Sequence, residues 1–250
     1  DNKNKFDEVF KEFIDRDFLD ALNCDLEEAK RFYEDNEVGF GKMLDLSCGK
    51  GAEIIRMSDF ADATGFYDYI KAKGFGVVEE YLINHDKIRE VYEPALNTMR
   101  MLTIIGDDKK PHLFFAAQKF GVNGRFIDVH GIHAPIDLET GVIHFPFHSG
   151  NTDTDLIYSK HPDTGYDLTN YEVPMFKEAK EMILKAAMLV PEMRYIGWDV
   201  AITNKGPKIV EGNDYTAYDY MQLPDQNPGR IGVIPDILKL VPSFKDELYK

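Results

Sequence analysis

The sequence predicts an α+β protein, and three observations carry that prediction. Helix-spaced and strand-spaced apolar runs alternate through the first third, strand-like runs dominate from Thr98 onward, and a ribbon of two alternating segments folds back on itself near Lys205. In the first third, residues 6–14 and 26–33 carry helical spacing, and residues 38–44 alternate with period two. Residues 46–51 form a glycine-bearing loop that leads into a short apolar run at 52–57. Helix follows at 65–73, and residues 75–82 read as a buried strand ending in the acidic pair Glu79 and Glu80.

Beyond that unit, strands are expected at residues 99–105, 112–119, 125–129 and 142–147. Residues 148–171, rich in Asp, Thr, Gly and Asn, read as a long loop, which in a compact domain is more often functional than idle. A helix is expected at 174–189, opened by Pro174 in its first turn, with Phe176, Ala179, Ile183 and Ala187 on one stripe and Pro191 as its stop. These elements divide the chain into subdomains at residues 1–83 and 84–250.

Composition narrows the function classes. An apolar share of 44% beside 29% charged residues is that of a globular protein, and no segment approaches the ~18 unbroken apolar residues of a membrane span. With 29 basic against 44 acidic residues the net charge is -15, which repels nucleic acid and anionic lipid alike. Two cysteines, Cys24 and Cys48, are too few for a disulfide framework, so a reducing cytoplasm fits. The chain opens on Asp1, with no methionine and no basic, apolar-cored leader, which reads as a fragment of a longer protein.

The strongest constellation is the ribbon at residues 195–213. A three-residue loop, Asn204-Lys205-Gly206, would pair Thr203 with Pro207 and place Asp199 opposite Glu211, with Asn213 diagonal on the same face. Opposed β-carbons sit ~4.5–5.5 Å apart, so two carboxylates there repel unless a cation lies between them. Oxygen donors of this kind suit Mg²⁺ or Mn²⁺. The competing reading is a solvent-facing hairpin with solubilising acids, and a two- or four-residue loop without a bulge would split the acids between faces.

Gly197-Trp198-Asp199, the strand to Thr203, Gly206-Pro207 and Glu211-Gly212-Asn213 together resemble the closing motif of the ATP-grasp superfamily, and most of all its sugar-transfer-associated branch. The likeness continues through residues 97–103, residues 135–141, His161-Pro162-Asp163-Thr164-Gly165 and Gln222-Leu223-Pro224, over nearly the whole chain. The resemblance implies two α+β subdomains gripping ATP between them, usually behind a further N-terminal domain. It also implies Asp199, Glu211 and Asn213 as metal ligands and Lys3 as a phosphate-contacting lysine. Residues 78–82 match the family's linker, where backbone groups meet adenine and an acid holds ribose. Glu79, Glu80 and Tyr81 are thus nucleotide-base candidates and Asp86 a ribose candidate, although a helix N-terminal acid explains Asp86 equally.

Lys42 shares the parity of Val38, Phe40 and Leu44, an otherwise apolar face, and a lysine seldom points inward unless an anion meets it. The loop Ser47-Cys48-Gly49-Lys50-Gly51 can offer successive N–H groups to phosphate, although such a turn alone is more often a simple hairpin. It is not a Walker loop, because Leu44 and Gly51 stand where that motif needs Gly and Ser or Thr. The resemblance pairs this loop with Lys42 over the phosphates and places Arg100 at the transferred phosphate or substrate carboxylate, against the alternative of a structural ion pair. Lys119 stands where the family commonly has arginine, and residues 127–131 depart from the family's Asp-Asn and longer glycine stretch.

The activity implied is an ATP- and Mg²⁺-dependent carboxylate–amine ligase acting through an acylphosphate, in polysaccharide-associated or related biosynthesis. Its partners would be ATP and small-molecule carboxylate and amine substrates, with neither nucleic acid nor membrane; a homo-oligomer is allowed. Two rivals stand beside it: a noncatalytic nucleotide-binding module, and a metal-dependent hydrolase built on His130, His133, His144 and His148. Against the second, His130 and His133 have opposite strand parity and no cysteine supports them.

Overall fold

A computed structural model describes residues 3–43, 51–150, 156–214, 216, 220–223, 226, 229 and 231–244. The chain divides into two compact units, Asp1–Leu82 and Ile83–Lys250.

In the first unit, two short helices, α1 (Lys3–Val9) and α2 (Lys11–Ile14), stand where one helix was expected. Then come β1 (Phe18–Asp20), α3 (Leu26–Asp35), β2 (Val38–Lys42), β3 (Glu53–Arg56), α4 (Ala63–Lys73) and β4 (Val77–Glu80). Helix α3 starts with a capping box in which Asp25 accepts from the Glu28 N–H while the Glu28 side chain accepts from the Asp25 N–H. Helix α4 is capped by Asp62 and ends on the left-handed Gly74 (φ 72°), a conformation that favours glycine. The strands form an antiparallel sheet in the order β1-β4-β2-β3. Leu19, Phe32, Ile55, Phe66, Ile70, Phe75 and Val78 make its core.

Strand β2 turns over the expected facing. Its buried positions are Gly39 and Gly41, whereas Val38, Phe40 and Lys42 are half-buried on the opposite face. A Cβ on Gly41 would stand 2.9 Å from the Phe75 ring, and one on Gly39 would stand 2.9 Å from Val78. Neighbouring side chains fill the space beneath β2, so glycine, not the apolar parity, marks its core face.

The second unit holds a seven-stranded antiparallel sheet, ordered β11-β10-β5-β6-β7-β8-β9. Its members are β5 (Thr98–Ile105), β6 (Pro111–Phe120), β7 (Ile132–Pro135), β8 (Phe147–Ser149), β9 (Ile157–Tyr158), β10 (Tyr195–Thr203) and β11 (Gly206–Asn213). A short helix, α5 (Asp86–Arg89), precedes β5. Helix α6 (Phe176–Ala187) buries Phe176, Ala179, Ile183 and Ala187, the stripe expected of it, and packs on β5, β6, β10 and β11. It starts after a left-handed Met175 (φ 53°), so Pro174 lies outside the helix instead of in its first turn. Helix α7 (Ile234–Leu240) lies near β5 and β6 over a cluster that includes Leu102, Ile104, Phe115, Ala117 and Met221.

Two expected strands are not formed. Near residues 125–129 only Ile127 bridges, to Leu96, after left-handed Asn123 and Gly124 turn the chain. Within 142–147, Val142 bridges Glu172 and Pro146 lacks an N–H, so pairing resumes only at Phe147. The expected loop at 148–171 carries the end of β8 and all of β9, and its His161 is buried, donating from Nε2 to the Gly121 carbonyl at 2.8 Å.

Candidate active site

The ribbon reaches its expected register by a different route. The turn has two residues, since Thr203 pairs with Gly206 and Ile202 with Pro207. Continued unchanged, that ladder would set Val210 against Asp199. A bulge between Asp199 and Val200 admits one extra residue, and Asp199 instead faces Glu211, with Gly197 facing Asn213. Asp199, Glu211 and Asn213 therefore share one face of the ribbon. Their two carboxylates and one amide are hard oxygen donors, a set that fits Mg²⁺ or Mn²⁺. Glu211 is exposed, and the Asn213 Nδ2 donates to the Gly197 carbonyl at 3.4 Å.

Across the sheet, Asp199 faces Arg100 on β5, and Arg100 faces Ala117 on β6, two residues before Lys119. Parity thus brings Arg100, Lys119 and Asp199 together. Arg100 donates to both Asp199 oxygens, Nε to Oδ1 at 2.9 Å and Nη2 to Oδ2 at 3.0 Å, the planar fork a carboxylate accepts. Lys119 Nζ lies 3.0 Å from Asp199 Oδ1. Burial alone would raise the Asp199 carboxyl, but Lys119 and Arg100 outweigh it and hold the group below the usual carboxylate range.

Sequence reasoning did not single out the residues that steady this cluster. Asp128 reaches Lys119 at 3.4 Å and accepts from the Thr98 N–H at 2.8 Å and its hydroxyl at 2.6 Å. Thr216 Oγ1 accepts from Arg100 Nη1 at 3.3 Å, and a Cβ on Gly197 would fall 1.9 Å from that oxygen. Gly197 is the one signal the sequence carries for this approach, a glycine inside a strand where another group comes close.

The first unit builds a second cluster around Glu79, opposite Phe40 in β2. Lys42 Nζ lies 2.6 Å from Glu79 Oε2, and Arg16 Nη2 lies 3.0 Å from Oε1 and 3.6 Å from Asp7. The anion that meets Lys42 is thus a carboxylate of the same chain. Burial would raise Glu79, yet Arg16 and Lys42 hold it below its ordinary value. Glu80 accepts from the Asp17 N–H at 3.3 Å, and the Tyr81 N–H donates to the Val38 carbonyl at 3.0 Å. Burial pushes the Tyr81 hydroxyl up.

Of the remaining candidates, Lys3 is the first residue of α1, and Gly51 sits in a turn with φ 71°. Ser47, Cys48, Gly49 and Lys50 lie outside the described residues. Asp86 opens α5, where its N–H donates to Asn204 Oδ1 and its Oδ1 accepts from Asn204 Nδ2, fastening the tip of the ribbon. Among the histidines, His133 and His148 face each other in β7 and β8, His144 meets Asn170, and His130 lies in a turn with φ 59°. Among the described residues no group of three or more His, Cys, Asp or Glu is gathered for a metal ion.

The model of the sugar-transfer associated ATP-grasp family matches residues 49–230, well over half of the chain. The chain belongs to that family. No curated protein matches its sequence. Among solved structures, it is similar to the ATP-grasp ligase PsnB complexed with precursor peptide PsnA2 and AMPPNP, at 14% identity and TM-score 0.51, covering 92% of this chain and 53% of that one. It is similar to the ADP complex of purK, N5-carboxyaminoimidazole ribonucleotide synthetase, at 10% identity and TM-score 0.52, covering 89% and 47%. The biotin carboxylase domain of Hydrogenobacter thermophilus 2-oxoglutarate carboxylase, in complex with MgADP and bicarbonate, gives 14% identity and TM-score 0.52, covering 88% and 40%. This family chain therefore has the ATP-grasp fold and spans about half or less of the length of those structures. Among the described residues no helix is long and apolar enough to cross a membrane.

Proposed function

We propose that this ATP-grasp chain is the nucleotide-, metal- and substrate-binding portion of an ATP-dependent carboxylate–amine ligase that works through an acylphosphate. The observation that carries the reading is the convergence on one sheet face of Asp199, opposite Glu211, with the cations Arg100 and Lys119. Asp199, Glu211 and Asn213 would hold Mg²⁺ or Mn²⁺, which when bound would neutralise charge on the phosphate oxygens.

Arg100, forked on the Asp199 carboxylate, would orient an anionic substrate group and steady charge that develops as the carboxylate oxygen attacks the γ-phosphorus of ATP and expels ADP. The amine then displaces phosphate and the amide forms. Lys119, held by Asp128, adds a second fixed cation. In this reading residues 1–83 form the nucleotide-covering subdomain, with Lys3, Lys42 and residues 47–51 toward phosphate and Glu79, Glu80 and Tyr81 toward the nucleoside; Asp86, just past its end, would meet the ribose. Residues 84–250 form the metal and substrate subdomain. The setting is cytoplasmic, and PsnB, an ATP-grasp ligase complexed with a precursor peptide and AMPPNP, and the purK synthetase, an ADP complex, support this class of chemistry.

The test is ADP release across a library of carboxylates and amines, with Mg²⁺-dependent ATP uptake followed by calorimetry. Release that needs both substrates and falls ~10²–10³-fold in Asp199→Asn is expected. ATP uptake with no release under any pair would leave a binding module in place of the ligase.

A further inference from the structure

Away from the residues assigned to nucleotide and metal, a cavity of about 540 Å³ opens in the second unit between the β6–β7 region on one side and Gln226 and residues 231–239 on the other. It falls within the ~300–1,000 Å³ of small-molecule pockets. Its walls are apolar: Phe115, Pro135, Ile136, Phe145 and Ile231 line it, with Gln226 among them. Ile231 is 63% exposed, a large apolar side chain left at the mouth of an apolar hollow.

Gln226 makes one wall rigid. Its Nε2 donates to the His133 carbonyl at 3.1 Å and to the Pro146 carbonyl at 3.0 Å, which fixes the carboxamide orientation. Gln226 is 3% exposed, so this wall is set by the protein interior. The titratable groups on the lining are Asp137, His144, Asp236 and Lys239, and Lys239 is matched to Asp236 at 2.6 Å. Asp137 accepts from the Thr140 N–H and hydroxyl at 2.8 Å, bonds that hold it as the anion. The cavity therefore carries one net negative charge from its acids and amines, which disfavours an anionic guest.

We infer that this cavity is a second small-molecule site, built for a neutral or cationic ligand with an aromatic or branched aliphatic group, with Gln226 holding one wall in place. None of its lining residues belongs to the nucleotide or metal set, so the site stands independently of the ligase reading.

Saturation-transfer NMR without nucleotide tests it, with tryptamine and phenethylamine as probes, phenylacetate as the anionic counterpart and glucose as the apolar-free control. Ile231→Trp and Leu138→Trp, both at accessible lining positions, fill the cavity without touching the core. Expected are signals from the two amines, weaker transfer to phenylacetate, none to glucose, and at least ~10-fold weaker amine binding in both variants, with Mg²⁺-dependent ATP uptake unchanged. Absence of amine binding, or binding that both tryptophans leave intact, overturns the proposal. Failure of ATP uptake in the parent protein would strike the ligase reading and leave this one standing.

Discussion

Both units grip one carboxylate between two cations on a sheet, yet the two clusters are closed to different degrees. In the first, the Arg16 side chain is 0% exposed and the Glu79 side chain 6%, with Lys42 the more open member at 17%. In the second, Arg100, Lys119 and Asp199 each keep between 12% and 19% exposure. The difference is that only Lys42 keeps appreciable surface in the first cluster, whereas every member of the second does. A sealed ion pair contributes little net stability but is costly to break, because the remaining charge has nowhere to go.

Glu79→Gln breaks the sealed cluster and leaves Arg16 without its nearest carboxylate. It is expected to cost about 3–5 kcal/mol in urea unfolding, and a loss below 1 kcal/mol would erase the contrast between the two units. Gly41→Ala attacks the same unit from beneath, where the new methyl meets the Phe75 ring at 2.9 Å. A loss of about 1–3 kcal/mol is expected by thermal or urea unfolding.

Arg100→Lys keeps the charge in the open cluster and removes the fork on Asp199. ADP release should fall ~10-fold with the unfolding midpoint little changed, and full activity would show that a point charge suffices there. Smallest is the acid response. Asp199 and Glu79 both lie below their ordinary values when folded. Their stabilisation is therefore complete above the unfolded values of about 3.9 for Asp and 4.3 for Glu, and is lost as pH falls through the lower folded values. Urea midpoints taken from pH 6 to pH 3 should drop below about pH 4, with a shallower drop in Glu79→Gln.

Elements with local signals were legible from sequence. Helix α3 has its capping box, α4 its Asp and Gly ends, and the family motif marked the ribbon. The facing of β2 was misjudged because its core face is made by two glycines and the side chains of neighbours, which no hydropathy pattern within the strand records. Strand β7 escaped because Ile132, His133 and Ala134 are buried in succession, without alternation. The ribbon's register was anticipated although its turn was not, since a shorter turn and a bulge cancel. Asp128, Arg16 and Thr216 were invisible because their roles rest on contacts with residues 30, 63 and 116 positions away.

Pro135 and Pro146 withhold their N–H groups where β7 and β8 part, and the Gln226 carboxamide bonds the carbonyls of His133 and Pro146 there. A single side chain clasps both carbonyls, and it arrives 93 and 80 residues later in the chain. During synthesis this corner of the sheet waits for its clasp until residue 226 has emerged from the ribosome.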